Sequence, residues 1–197
     1  MSGPATMLDG AAGAGLARLA ATTVAARLAG REIAGAGPAS AALRERGASF
    51  VTLERLGRLR GCVGSLTAVR PLWIDVVRNA LGAMTDPRLP PVTVDDWPDL
   101  AVRVSVLSRP ELLAVDGPPA LVGALRPGVD GLLLTDGQRR ATFLPAVWRK
   151  LPEPDAFVAA LLAKGGWPQG RWPERIRVSR HTAVEFSDPG PREPLAG

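Results

Sequence analysis

Cysteine is almost absent from this chain of 197 residues. Cys62 stands alone, so no intramolecular disulfide can form, and a reducing cytoplasm is the expected compartment. Histidine is as scarce, His181 being the single one. One Cys and one His cannot supply a Cys/His zinc cage, and no His-Glu-x-x-His spacing occurs, so no metal site is expected. An iron–sulfur cluster needs several cysteines and is excluded on the same ground. No cofactor is read from the sequence. No stretch approaches 18 uninterrupted apolar residues, and Met1 to Gly15 lacks the basic and leucine-rich regions of a secretory signal. A soluble protein without a membrane partner is the expectation.

Lysine is also rare: of 24 basic residues only Lys150 and Lys164 are lysines, so the net charge of +5 is carried by arginine. An arginine surplus can mark nucleic-acid binding. Here the arginines are scattered, Arg139-Arg140 is the longest run, and no basic tract of the nucleic-acid kind occurs. A solvated basic surface is the plainer reading. The remaining composition, 46% hydrophobic and 22% charged, is that of a globular protein. The length suits one domain, or one with a small appendage, burying roughly 70% of its unfolded surface.

After a Gly/Ala leader over 1–15, Leu16, Leu19, Val24 and Leu28 keep helical spacing. Gly30 to Ser40 reads as a loop and Ala41 to Arg46 as a short helical turn ended by Gly47. Two β-rich runs, Ser49 to Leu53 and Arg58 to Gly64, flank Leu56-Gly57 and predict a hairpin. Pro71 suits a first helical turn, and Leu72, Val76, Val77, Ala80 and Met84 predict a helix to Met84. Three prolines make Asp86 to Pro91 an extended loop. Leu100 to Leu107 alternates as a strand. Val129 to Thr135 and Gln138 to Leu144 form a second hairpin around Asp136-Gly137. Pro145 starts a short helix, and Asp155 caps another that runs to Leu162. Ile176 to Phe186 reads as one strand with His181 on its solvent face, and 188–197 as a disordered tail. This mixture without regular βαβ alternation predicts an α+β fold with a largely antiparallel sheet.

Leu59-Arg60-Gly61-Cys62-Val63-Gly64 closely resembles the Leu-Arg-Gly-Cys-Ile-Gly signature of the AMMECR-one domain family, whose microbial members are called AmmeMemoRadiSam system protein A. Asp86-Pro87-Arg88-Leu89-Pro90-Pro91-Val92 is similar to that family's Asp-Pro-Arg-Phe-Pro-Pro-Val. Val104-Ser105-Val106-Leu107, Asp130-Gly131, Leu144-Pro145 and Lys164-Gly165-Gly166 continue the likeness over about 16–187. The resemblance implies an α+β fold with a central antiparallel-rich sheet flanked by helices and a smaller lobe from later parts of the chain. It also implies a Memo-like protein and a radical S-adenosylmethionine protein as partners.

Cys62 is the candidate nucleophile, since a thiolate is favoured by a nearby cation or aligned N–H groups. On a strand, Arg60 and Cys62 share a face, so the Arg60 guanidinium could stabilise a thiolate or hold a small anion. Gly61 and Gly64 would let a ligand approach the backbone. The competing reading is that a free cysteine merely packs. Asp86 and Arg88 suit an anion clamp or, equally, a structural ion pair. Lys164 offers an anion contact, although the helix dipole alone favours a lysine there. His181 reads as a polar-face residue, where the family commonly carries an aromatic; Asp130 reads as a turn residue, and the five tryptophans as packing groups. Three functions follow: an enzyme or enzyme component binding a small anionic molecule at the Arg60/Cys62 face, an adaptor docking one of the two partners, and, third, nucleic-acid binding.

Overall fold

Arg46–Arg55, with its buried Ser49, Val51 and Leu53 alternating with half-exposed side chains, is strand β1, and Arg58–Gly64 returns beside it as β2. The two-residue turn between them has positive φ at both Leu56 (48°) and Gly57 (77°), the twist that closes tight hairpins. The computed structural model describes residues 8–32, 40–168 and 170–195. Its chain divides into two units, Met1–Leu107 with Val184–Gly197, and Ser108–Ala183.

In the first unit, helices α1 (Gly10–Leu28) and α2 (Ala41–Arg44) precede β1, and a two-residue strand β3 (Arg70–Pro71) leads into α3 (Leu72–Met84). A 3-10 helix over Val94–Asp99 delivers the chain into β4 (Leu100–Leu107), and β9 (Ala183–Asp188) completes the sheet in the order β2-β1-β4-β9, with β3 paired to β1. The β1 pairings with β2, β3 and β4 are all antiparallel. Helices α1 and α3 bury Leu16, Ala20, Val24, Leu72, Val76 and Ala80 against Val51, Leu53, Val102 and Val104. β2 is an edge strand.

The second unit holds β5 (Glu111–Leu113), α4 (Pro118–Ala124), the hairpin β6 (Gly131–Thr135) and β7 (Arg140–Phe143), α5 (Pro154–Lys164) and β8 (Arg177–His181), with sheet order β5-β8-β6-β7. Its core joins Leu132, Leu134, Leu161 and Val178 to Trp148, whose ring stacks 3.9 Å from that of Phe157. The architecture is α+β with antiparallel sheets, as the sequence predicts. Among the described residues no helix is long and apolar enough to cross a membrane.

Several boundaries differ from expectation. The expected leader 1–15 loses its last residues to α1: Asp9 accepts the Ala12 N–H at 2.7 Å, and the helix runs from Gly10. Gly13 lies under the Phe186 ring, where a Cβ would collide. Residues 1–7 and most of the predicted 30–40 loop lie outside the described residues. The expected tail is tied down through residue 195. Arg192 donates to the Pro98 and Leu100 carbonyls and stands over the Trp97 ring, Trp97 Nε1 donates to the Glu193 carbonyl, and Leu195 packs on the core. The single strand predicted over 176–186 is two, β8 and β9, which serve different sheets. Helix α3 begins one residue after Pro71. Glu153, not Asp155, occupies the cap position of α5.

Candidate functional site

Edge strand β2 has one row of backbone groups facing away from β1, and such a row invites unwanted pairing unless it is covered. At Cys62 the covering is supplied by the loop after α3. The Cys62 N–H donates to Asp86 Oδ2 at 3.0 Å, and its carbonyl accepts from the Arg88 guanidinium at 3.0 Å. Asp86 and Arg88 thus stand in for one residue of a neighbouring strand. They are joined to each other by bonds of 2.9 and 2.6 Å from Nε and NH2 and by the Arg88 N–H on Asp86 Oδ1. The Leu89 N–H on the Asp86 carbonyl and the Val92 N–H on the Met84 carbonyl fix the proline-rich loop against the end of α3.

The Arg88 side chain holds the buried Asp86 carboxyl well below the usual carboxylate range. Burial opposes this shift, and the Cys62 and Arg88 N–H groups reinforce it. Arg88 is raised in turn, first by its bond to Asp86, with its own burial opposing. With 66% of its side chain exposed, Arg88 still offers an unbonded edge of its guanidinium to solvent.

Cys62 pairs directly with Thr52, and Thr52 with Arg103, so a thiol, a hydroxyl and a guanidinium form one row across three strands on the sheet face opposite the helices. Cys62 is partly buried, and Thr52 Oγ1 donates to its Sγ at 3.4 Å. Arg103 is held by Glu54 and, at 3.7 Å, by Glu185.

Arg60 does not serve the thiol as the strand alternation suggests. Its Nε and NH2 fork onto the buried Asp96 carboxylate at 3.0 and 2.8 Å, and NH2 also reaches the Pro91 carbonyl. Hydrogen bonding to Asp96 raises the Arg60 pKa. Burial, the largest influence on Asp96, pushes its carboxyl up, but Arg60 and the Thr93 N–H outweigh burial and the net direction is down.

On their side-chain sides Gly61 and Gly64 face the protein rather than an open gap. A Cβ on Gly61 would strike the Ala83 carbonyl at the end of α3, and one on Gly64 would strike the Phe50 ring. The protein itself fills both gaps. Lys164 belongs to the second unit, where Nζ donates to the Thr142 carbonyl at 2.9 Å and lies over the Phe143 ring. His181, read as solvent-facing, is buried at 3% exposure over Gly131. Asp130 is fully buried, and both its oxygens take donors from Arg126.

Two residues central to this region went unread in the sequence. Asp96 had a legible signal, since Thr93-Val94-Asp95-Asp96 is a capping box and the structure makes both of its reciprocal bonds. Asp75 had none that separates it from a surface acid. It is fully buried and accepts from the Ser49 N–H and hydroxyl, the Ser65 hydroxyl, Arg70 and Asn79, all at 2.8 to 2.9 Å. This network pins α3 to β1.

The fold and site define a class of two-unit α+β proteins in which an edge strand presents a clamped cysteine. The chain belongs to the AMMECR1 family, the AMMECR-one domain family of the signature above: the AMMECR1 family model matches residues 17–186. A protein of Methanothermobacter thermautotrophicus is 39% identical over 151 residues, covering 75% of this chain and 78% of its own. Protein MJ0810 of Methanocaldococcus jannaschii is 33% identical over 75% of this chain and 76% of its own. The crystal structure of the uncharacterized protein PH0010 from Pyrococcus horikoshii superposes with a TM-score of 0.85 at 33% identity, covering 96% of this chain and 97% of that one.

Proposed function

We propose that the protein is an enzyme, or an enzyme component of an AmmeMemoRadiSam-type system, that handles a small anionic molecule at the face bearing Cys62. The observation carrying this reading is the clamp: both backbone groups of the partly buried Cys62 are fixed by the Asp86–Arg88 pair, with Thr52 Oγ1 donating to its thiol. Rigid presentation of a nucleophile beside an anion-binding group is what thiol chemistry on an anionic substrate requires. Arg88, with its exposed edge, takes the anion-binding role first assigned to Arg60. The partners, a Memo-like and a radical S-adenosylmethionine protein, follow from the family resemblance alone.

The test compares alkylation of native Cys62 by iodoacetate, an anion, and by iodoacetamide, its neutral analogue, read by intact mass. The ratio of the two rates in the folded protein should exceed that in the unfolded chain by about threefold or more, as expected for a cation at short range. It should fall to the unfolded value in Arg88→Gln and persist in Arg88→Lys and Arg60→Gln. Modification that appears only on unfolding, or a ratio indifferent to Arg88, refutes the reading. Full complementation of a deletion strain by Cys62→Ala would refute its covalent form.

An adaptor role is favoured by a different observation. At the hairpin tip Leu56 is 76% exposed and Leu59 also faces solvent, apolar surface suited to a protein partner. On that reading Leu56→Ser and Arg88→Ala weaken capture of a Memo-like partner, whereas Cys62→Ser leaves it intact.

A further inference from the structure

Arginines that are dispersed along the sequence converge at one end of the second unit's sheet. Arg140 and Arg177 flank Thr135 in a single cross-strand row. Arg139 follows in the β6–β7 turn and donates from NH1 to the Gly166 carbonyl at 2.7 Å, which draws the segment after α5 against the turn. Arg139, Arg171 and Arg175 then line a recess of about 410 Å³.

Two acids in this recess, Asp136 and Glu174, offset the charge of the three arginines only in part. The Asp136 carboxylate accepts from the Arg139 and Gln138 N–H groups and from Trp167 Nε1 at 2.7 to 2.9 Å, which keeps it charged and held to its own turn. Glu174 reaches Arg171 only at 3.8 Å, with both side chains mostly exposed, a contact of little strength in water. Arg175 makes no hydrogen bond or ion pair with any described residue.

We propose that this recess is a binding site for the phosphate chain of a small polyphosphorylated molecule. Guanidinium groups offer paired N–H donors that match phosphate oxygens, and three of them around one concavity suit a chain carrying several negative charges. A nucleic-acid strand fits less well. Single-strand sites track a backbone along a basic groove and stack bases on exposed aromatics. Here the basic residues gather at one sheet end, and Trp167, the aromatic lining the recess, is 4% exposed with its N–H already donated.

The test is calorimetric titration of the full chain, at low ionic strength, with inorganic tripolyphosphate, orthophosphate, a nucleoside triphosphate and a single-stranded oligonucleotide. Tripolyphosphate should bind saturably and about tenfold or more tighter than orthophosphate, because it engages more than one guanidinium. Arg171→Gln with Arg175→Gln, both exposed positions, should weaken it about tenfold or more. Arg18→Gln on α1 should not, and the single Arg175→Gln variant serves if the double variant loses its native circular dichroism. Equal affinity for tripolyphosphate and the nucleoside triphosphate assigns recognition to the phosphate chain alone; tighter nucleotide binding adds a nucleoside contact beside it. Absence of saturable binding, equal binding of orthophosphate and tripolyphosphate, unchanged affinity in the variants, or an oligonucleotide that outcompetes tripolyphosphate overturns the proposal.

Discussion

Between pH 7 and pH 5 the stability of the second unit should fall, and one side chain should account for the fall. His181 is the single histidine of the chain, so no other histidine titrates in that window. Burial of the imidazole over Gly131 pushes its pKa down to about 4 from 6.5, and its Nε2 has no hydrogen-bond partner among the described residues. Asp130 pulls the other way, but Arg126 already engages both oxygens of that carboxylate, so burial prevails. A histidine with a depressed folded pKa is protonated more readily in the unfolded chain. The stability that its neutral form secures is therefore complete above about pH 6.5 and is lost as pH falls toward 4. The whole difference is about 3 kcal/mol, of which about 2 kcal/mol is lost by pH 5. Urea denaturation at a series of pH values measures this directly, with hydrogen exchange at β6 and β8 assigning the loss to the second unit. His181→Phe keeps a flat ring and removes both the titrating group and the orphaned nitrogen, so its stability should be level across the window. A wild-type curve that is already flat, or a variant that retains the slope, would refute the reasoning.

Removing Asp75 should be costly, since five donors, the charged Arg70 among them, lose a buried acceptor at once. Asp75→Ala is expected to destabilise the protein by about 3 to 5 kcal/mol in denaturant titrations. Gly61→Ala forces the end of α3 away from β2 and should cost about 1 to 3 kcal/mol. The same variant should also change the native alkylation rate of Cys62, its neighbour in the strand. Leu56→Asn should raise stability by about 1 kcal/mol, because asparagine tolerates the left-handed conformation that leucine occupies under strain at φ 48°; an unchanged or lowered denaturation midpoint would count against it.

The fold was legible wherever one face of an element is largely apolar. Leu100 to Leu107 and the helix ending at Met84 were placed to within a residue, and both hairpins announced themselves through their turns. Errors arose where a local pattern is continuous but the tertiary structure is not. Alternation runs from Ile176 to Phe186 with Arg180 the one exception, yet β8 pairs in one sheet and β9 in the other, and a period of two does not record that change. The buried stripe of α3 holds Leu72, Asp75, Val76, Asn79, Ala80, Ala83 and Met84 at helical spacing. Two polar members hid its true centre, so the sequence pattern favoured Val77. A polar residue can sit on such a stripe only when its partners are present, and Ser49, Ser65 and Arg70 come from outside the helix.

Arg60 shows where strand periodicity ceases to inform chemistry. The pleat assigns Arg60 and Cys62 to one face, but a guanidinium lies several bonds from its backbone and goes wherever a buried acceptor needs a counter-charge. Asp96, 36 residues further on, is that acceptor, and its own cap on Thr93 holds it in place. The cation held at Cys62 is instead Arg88, which bonds the Cys62 carbonyl while Asp86 accepts the Cys62 N–H. One pair thereby covers the open backbone edge at Cys62. Asp86→Asn separates this covering from a role in positioning the thiol: it keeps the size of the side chain but discards the charge that binds Arg88. If the clamp positions the thiol, this variant should lose the iodoacetate preference while remaining folded. If the pair only seals the edge, the preference should survive and self-association through β2 should appear instead.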